Sequence, residues 1–380
     1  MKPYKIYFKG AGLVTAIGNS IEENLSAISQ NSYKPSEISI DQLPAPGIIP
    51  YFIINKPSIN SGVERLYQVI RSVIDQAIDD ANLSKKELKD AGLFLGSTSF
   101  DMFRCELELK QLGVSEHKIA THIPPFNRLT NFIQNEYSLN GPVFTFNTAC
   151  TSSANALMYA SECIRRGDIK HALVVGLEFY NEVTALGFSG LSLVSSAGMR
   201  PFDQNRDGLY LGEGCSALII SAEPEENGYS FLAGANLGDT HSITSSSPDG
   251  STIQAVIEQA IKKALIDKKD VAIIKTHGTA SLANDEAEAA GLSKVFKQQI
   301  PPIVILKPFI GHTLGACGLN ELILFYKALS QNILINFQVN LSKEFALRLA
   351  TTDDVPKKGY FLLNYFGFGG NSTALVITNA

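Results

Sequence analysis

Apolar positions in this chain follow two rhythms, a short strand-like run and a helical stripe, and these appear in the same order twice. KIYFKGAGLVTAIGNSIEENLSAI opens as a strand, a glycine-rich turn and a helix. Leu66, Val69, Ile70, Val73, Ile74, Ala77, Ile78 and Ala81 then recur at a spacing of about 3.6 residues, which predicts an amphipathic helix lying on a sheet, and Gly92 to Thr98 reads as a strand. Val143, Phe144 and Phe146 form a brief β-prone run, and from Ala154 onward Leu157, Met158 and Ile164 fall at helical spacing. HALVVGLEF is apolar throughout, as a buried parallel strand is, and RDGLYLGEGCSALIISAE reads as two short strands around a tight glycine turn. The segment from Tyr33 to Asn60 holds five prolines without periodicity and is expected to be a long surface connection.

After Glu226 the order restarts. YSFLAGANLGDT repeats the opening strand and glycines, Ile253, Val256, Ile257, Ala260, Ile261, Ala264 and Leu265 trace a second amphipathic helix, and VAIIKTHG is a second strand. PPIVILKPFIGHTLGACGLNELILFYKAL has the strand, turn and helix of the Val143 to Arg166 stretch, and GYFLLNYFGFGGNSTALVIT matches RDGLYLGEGCSALIISAE. The halves 1–226 and 227–380 therefore read as a duplication.

Composition narrows the function. A chain of 380 residues with 45% hydrophobic and 18% charged residues can bury a large core. A net charge of -5 gives no domain-wide basic excess to neutralise phosphates, so nucleic acid is not an expected partner. No apolar run nears the roughly 18 residues of a membrane span, and Lys5 and Lys9 interrupt the N-terminus where a signal peptide needs an apolar stretch, so a cytoplasmic location is expected. The five cysteines lack any CxxC and read as reduced thiols, with no metal site and no cofactor expected. Gly10, Gly12 and Gly18 suggest a dinucleotide-binding turn, but Thr15 stands where that fingerprint needs glycine.

Cys150, in VFTFNTACTSSANALMYASECIRR, sits where a strand gives way to a helix. Thr148, Thr151, Ser152 and Ser153 offer capping hydroxyls there, and the positive helix end would favour a thiolate; a lone cysteine in this place also reads as a small buried hydrophobe. Pseudo-twofold symmetry places the turn with His312 opposite the turn with Cys150. His277 ends another strand of the second half, so one cysteine and two histidines are expected to converge.

FNTACTSS around Cys150, THGTASLANDEAE from Thr276 to Glu288, KPFIGHTLGACG from Lys307 to Gly318 and FGFGG from Phe366 to Gly370 resemble, in order and spacing, the active-site signatures of β-ketoacyl-ACP synthases. GAGLVTAIG and RPFDQNRDGLYLGEG extend the resemblance over nearly the whole chain. It implies the thiolase-like fold, an α/β protein of two βαβαβαββ halves in α-β-α-β-α layers, normally dimeric. It also implies a decarboxylative Claisen condensation of acyl and malonyl thioesters carried on acyl carrier protein. On this likeness Cys150 carries the acyl group, and main-chain N–H groups of Cys150 and Phe368 hold the oxyanion. His277 and His312 stabilise the enolate, with Lys307 and Glu288 supporting them. Thr279 and Ser281 hold the phosphopantetheine arm, and Phe368 is the gate.

There are departures. Asn371 and Ser372 replace the usual threonine and asparagine after FGFGG, Ser192 stands where elongating enzymes often carry a docking arginine, and Arg65 and Arg71 are the only basic residues of the first long helix. An alternative reading is a chain-length partner subunit, which pairs with an active synthase and usually lacks the cysteine. A priming synthase or thiolase acting on coenzyme A thioesters is opposed by the two-histidine set.

Overall fold

The computed structural model describes residues 4–40, 47–54, 62–112, 127–226 and 228–380. The first half runs β1 (Ile6–Thr15), α1 (Ile21–Ser29), β2 (Ser36–Ser39), β3 (Ile48–Phe52), α2 (Val63–Ala81), α3 (Lys85–Leu88), β4 (Gly92–Gly96), α4 (Met102–Leu112), α5 (Arg128–Tyr137), β5 (Val143–Phe146), α6 (Ser152–Arg165), β6 (His171–Glu178), α7 (Glu182–Gly190), β7 (Leu211–Gly212) and β8 (Gly214–Ser221). The second runs β9 (Ser230–Gly238), α8 (Ser251–Ala264), β10 (Val271–Lys275), α9 (Leu282–Phe296), β11 (Ile303–Val304), α10 (Lys307–Ile310), α11 (Cys317–Ser330), β12 (Tyr360–Gly367) and β13 (Asn371–Thr378).

Each half contributes five strands to one sheet, ordered β11-β10-β12-β13-β9-β1-β8-β6-β4-β5. Read outward from the β1–β9 junction, both halves follow the same plan. The terminal strand and its neighbour run antiparallel, and the three outer strands run parallel. Side-chain periodicity explains the layers. The apolar stripe of α2 lies on β1 and β8, and that of α8 lies on β9 and β13. α6 and α11, buried along most of their length, pack against each other and against both sets of strands in the central core. The result is the expected thiolase-like α-β-α-β-α arrangement.

Two expectations need correction. The described residues of the Tyr33 to Asn60 segment are not a plain surface connection. β2 and β3 form an antiparallel pair, β3 pairs in parallel with β7, and Ile49, Tyr51, Phe52 and Ile54 are buried. Its many prolines concealed an alternation of exposed and buried positions too short to count as a period. RDGLYLGEGCSALIISAE does form two strands, but they do not pair around the turn, because β7 belongs to this three-stranded sheet while β8 lies in the large one. The buried Glu213 between them accepts the Ile54 and Tyr180 N–H groups and pairs with Arg65. No described helix is long and apolar enough to cross a membrane.

Candidate active site

β5 ends just before the turn that lifts Cys150 to the mouth of α6. Ala149 there adopts φ 53, a left-handed conformation rare outside glycine, so the thiol projects from a tight bend. The hydroxyls expected to cap α6 brace the bend instead. Ser152 Oγ accepts the Thr148 N–H and donates to the Ala149 carbonyl, and Thr151 Oγ1 donates to the Thr148 carbonyl, leaving α6 without a side-chain cap. Gly367 crosses directly behind, where a Cβ would lie 3.0 Å from the Cys150 nitrogen.

The three predicted chemical groups do meet. His312 Nε2 lies 3.1 Å from Cys150 Sγ, and the rings of His277 and His312 stand edge-on with centroids 5.4 Å apart. Lys307 Nζ lies 3.1 Å from His277 Nδ1. An ammonium group can only donate, so it fixes the His277 proton on Nε2, facing the site. Burial, reinforced by the Lys307 charge, holds both imidazoles well below their ordinary value, so they are neutral.

The thiol differs from expectation. Burial pushes Cys150 up to about 11, outweighing the Lys307 charge and the Phe368 and Cys150 main-chain N–H groups that pull it down. The resting pair is thiol and imidazole, not thiolate and imidazolium. The same two N–H groups were those expected to hold an oxyanion.

Lys307 and Glu288 are not partners. Both Glu288 oxygens accept main-chain N–H groups, from His277 and Gly278 at 2.9 Å each, and Asn364 adds a third bond. Glu288 therefore shapes the loop that presents His277. The carboxylate beside Lys307 is Glu321 of α11 at 2.8 Å, and Glu321 also holds Lys275 at 2.6 Å. Neither Lys275 nor Glu321 was singled out from the sequence. Their signal was a charge inside an otherwise apolar run, VAIIK and LNELIL, which at full burial requires a partner. Two further buried carboxylates act on the backbone. Asp285 accepts Thr279 and Ala280 N–H groups, and Glu178 joins the loop after β4 to Gly315 of the His312 turn.

Thr279 and Ser281 hydroxyls lie 3.0 Å apart beside Asn284. With Phe368 they line both the inner space at Cys150, about 20 Å3, and, in the case of Ser281, Asn284 and Phe368, an outer cavity of about 230 Å3. The inner space holds little more than a water molecule. Phe368 closes it, stacked on Phe188 of α7 with centroids 5.7 Å apart and planes 10° from parallel. Asn371 anchors the stem of this turn, since its Oδ1 accepts from Thr151, Asn155 and Asn236. Arg65 and Arg71 turn to Glu213 and to Glu64 and Glu136, and Ser192 is exposed at the outer cavity. Among the described residues, Cys150, His277 and His312 form the one group of three able to ligate a metal, with ligating atoms within 4.8 Å; the buried lysines beside them oppose a cation.

A thiol, two neutral imidazoles and paired N–H donors meet between the two duplicated halves, an arrangement suited to acyl transfer. The family comparison agrees. Residues 55–226 match the β-ketoacyl synthase N-terminal domain and residues 229–340 its C-terminal domain, and the chain belongs to the β-ketoacyl synthase family. It is 26% identical to 3-oxoacyl-[acyl-carrier-protein] synthase 2 of Vibrio harveyi, covering 99% of each chain, and 24% identical to that of Coxiella burnetii over 100% of this chain and 99% of the other. In fold it is similar to a ketosynthase in complex with its chain length factor from Xenorhabdus doucetiae, with a TM-score of 0.83 at 22% identity over 99% and 98% of the two chains. A β-ketoacyl synthase from Burkholderia phymatum gives a TM-score of 0.79 at 22% identity, covering 99% of each.

Proposed function

We propose that the chain condenses an acyl thioester with malonyl-ACP to give a β-ketoacyl-ACP, in type II fatty-acid or polyketide synthesis, including polyene synthesis, in the cytoplasm. The observation that carries this is the 3.1 Å approach of His312 Nε2 to the Cys150 thiol, with His277 held in its Nε2–H form beside it. Cys150 Sγ bonds to the acyl carbonyl as the carrier's carbon–sulfur bond breaks, and the Cys150 proton ends on the departing thiol. The Cys150 and Phe368 N–H groups take the tetrahedral oxyanion. Phe368 must swing off Phe188 before malonyl enters, because the closed inner space has no room for it. Malonyl's carbon–carbon bond then breaks, carbon dioxide leaves, and the electron pair forms an enolate held by His277 and His312. The enolate carbon bonds to the acyl carbon as the Cys150 thioester breaks, and the departing Cys150 thiolate takes up a proton from water to restore the resting thiol. Lys307 and Glu288 keep the histidines in place, and Thr279 and Ser281 line the path of the phosphopantetheine arm. The half up to residue 226 supplies the nucleophile, and the half from 227 supplies the histidines and gate.

A dimer follows from β5, an edge strand of the large sheet that leaves Phe144 and Phe146 half-buried beside Tyr159. A homodimer is preferred, since one chain holds the whole site. The second reading, a chain-length partner in a mixed dimer, draws on the ketosynthase–chain length factor complexes of the same fold. Purified protein incubated with acyl carrier proteins of varied chain length should carry acyl on Cys150 by peptide mass spectrometry. Acylation surviving in a Cys150→Ala protein would refute the assignment. Co-purification of a mixed dimer more active than either subunit would favour the second reading.

A further inference from the structure

Behind the two histidines three buried charged side chains are in direct contact. Lys275 closes β10, Lys307 opens α10, and Glu321 lies in α11; none is exposed to solvent. Glu321 divides its carboxylate, giving Oε2 to Lys275 at 2.6 Å and Oε1 to Lys307 at 2.8 Å. Lys275 also donates to the Asn364 carbonyl at 2.9 Å, and its Nζ stands 3.7 Å from the centre of the Tyr365 ring. Two ammonium groups share this one carboxylate, so the trio in contact carries a net +1; the nearby buried Glu288, which also attracts Lys275, gives both of its oxygens to main-chain N–H groups. An unbalanced buried charge opposes folding. A neutral side chain at 275 would leave Lys307 and Glu321 a matched pair.

We infer that Lys275 is a positioning residue for the decarboxylation half of the reaction: by claiming one oxygen of Glu321 it leaves Lys307 half-neutralised, so positive charge is relayed through His277 to the enolate oxygen. The relay is geometric. Lys307 Nζ donates to His277 Nδ1 at 3.1 Å, and the opposite Nε2–H faces the site beside Cys150. Charge developing on the thioester oxygen as carbon dioxide departs meets a donor strengthened by an unneutralised ammonium group in a water-excluded setting. The cluster itself transfers neither proton nor electron. Cys150 acylation develops its oxyanion at main-chain N–H groups, so it should depend on Lys275 much less.

This inference rests on the proposed condensation, and its test separates the two. In the full-length protein, Cys150 acylation is followed by intact mass and carbon dioxide release from malonyl thioester is followed separately. Lys275→Gln should slow carbon dioxide release about 10- to 100-fold while acylation stays within about threefold. The double variant Lys275→Gln/Glu321→Gln restores a net +1 on Lys307 and should recover much of the lost rate. A purely structural role predicts that the double variant is worse than the single one. Wild-type decarboxylation in Lys275→Gln, or a double variant slower than the single, overturns the inference. If Lys275→Gln fails to fold, Lys275→Met keeps the buried stem and takes its place. Failure of both to fold makes the residue structural and also overturns it. A wild-type chain lacking both activities would instead refute the proposed function, a result that needs no variant.

Discussion

The turn that carries Cys150 and the turn that carries His312 occupy the same point of the repeated strand–turn–helix pattern, yet they are held by different means. Around Cys150 the bracing groups are side chains. Thr148, Thr151, Ser152 and Asn155 bond to one another and to the backbone, and Asn371 and Asn236 join them from the second half. Around His312 close backbone approach does most of the bracing, with the buried Glu178 carboxylate accepting the Gly315 N–H. A Cβ on Gly311 would sit 2.7 Å from the Leu211 carbonyl oxygen, on Gly315 2.5 Å from the Thr98 nitrogen, and on Gly318 2.5 Å from the Ala154 nitrogen. The duplication supplies matching positions, and residue type then decides what each can do. The hydroxyl-rich turn faces the small space lined by Phe368, whereas the glycine-rich turn sets His312 Nε2 3.1 Å from the thiol. Cys317 Sγ, donating to the Cys150 carbonyl at 3.1 Å, shows how tightly the two helix starts abut.

The largest effect that would break this comparison is on chemistry. His277→Ala and His312→Ala should each lower carbon dioxide release from malonyl thioester by about 100- to 1000-fold while leaving Cys150 able to accept acyl groups. Unchanged decarboxylation in both would remove the role given to the second half. Next comes packing. Gly318→Val drives a side chain into the start of α6, so it should cost about 2–3 kcal/mol in urea unfolding. A wild-type midpoint would mean that the two turns do not depend on their contact. The smallest effect concerns charge. With Cys150 held up at about 11, only a small thiolate fraction exists at neutral pH, so its alkylation by iodoacetamide should rise about tenfold per pH unit from 7 to 9. A plateau below pH 8 would reveal an ion pair with His312 and sharpen the contrast in the opposite sense.

Much of this was legible in the residue order. The stripes of α2 and α8 and the apolar run of β6 set the layers, because periodicity of burial is written locally. Cys150 and His312 stood out because they lie in matching turns of the two repeats, and His277 because it ends another strand that reaches the same place. The pair β2 and β3 did not, because the strand β7 that completes their sheet against β3 lies some 160 residues away in sequence, a separation given by Tyr51 pairing with Leu211.

The sequence by itself determined the duplicated halves, the candidate cysteine, the two histidines and the glycine turn that carries Phe368, since each depends on residue identity and local spacing. Only the tertiary structure decided where the buried charges went. Glu288 turned to main-chain N–H groups while Glu321 divided itself between Lys275 and Lys307. Only the folded chain, too, decided that the thiol rests protonated: desolvation comes from every surrounding element at once, and at Cys150 it outweighs the Lys307 charge and the Phe368 and Cys150 main-chain N–H groups together.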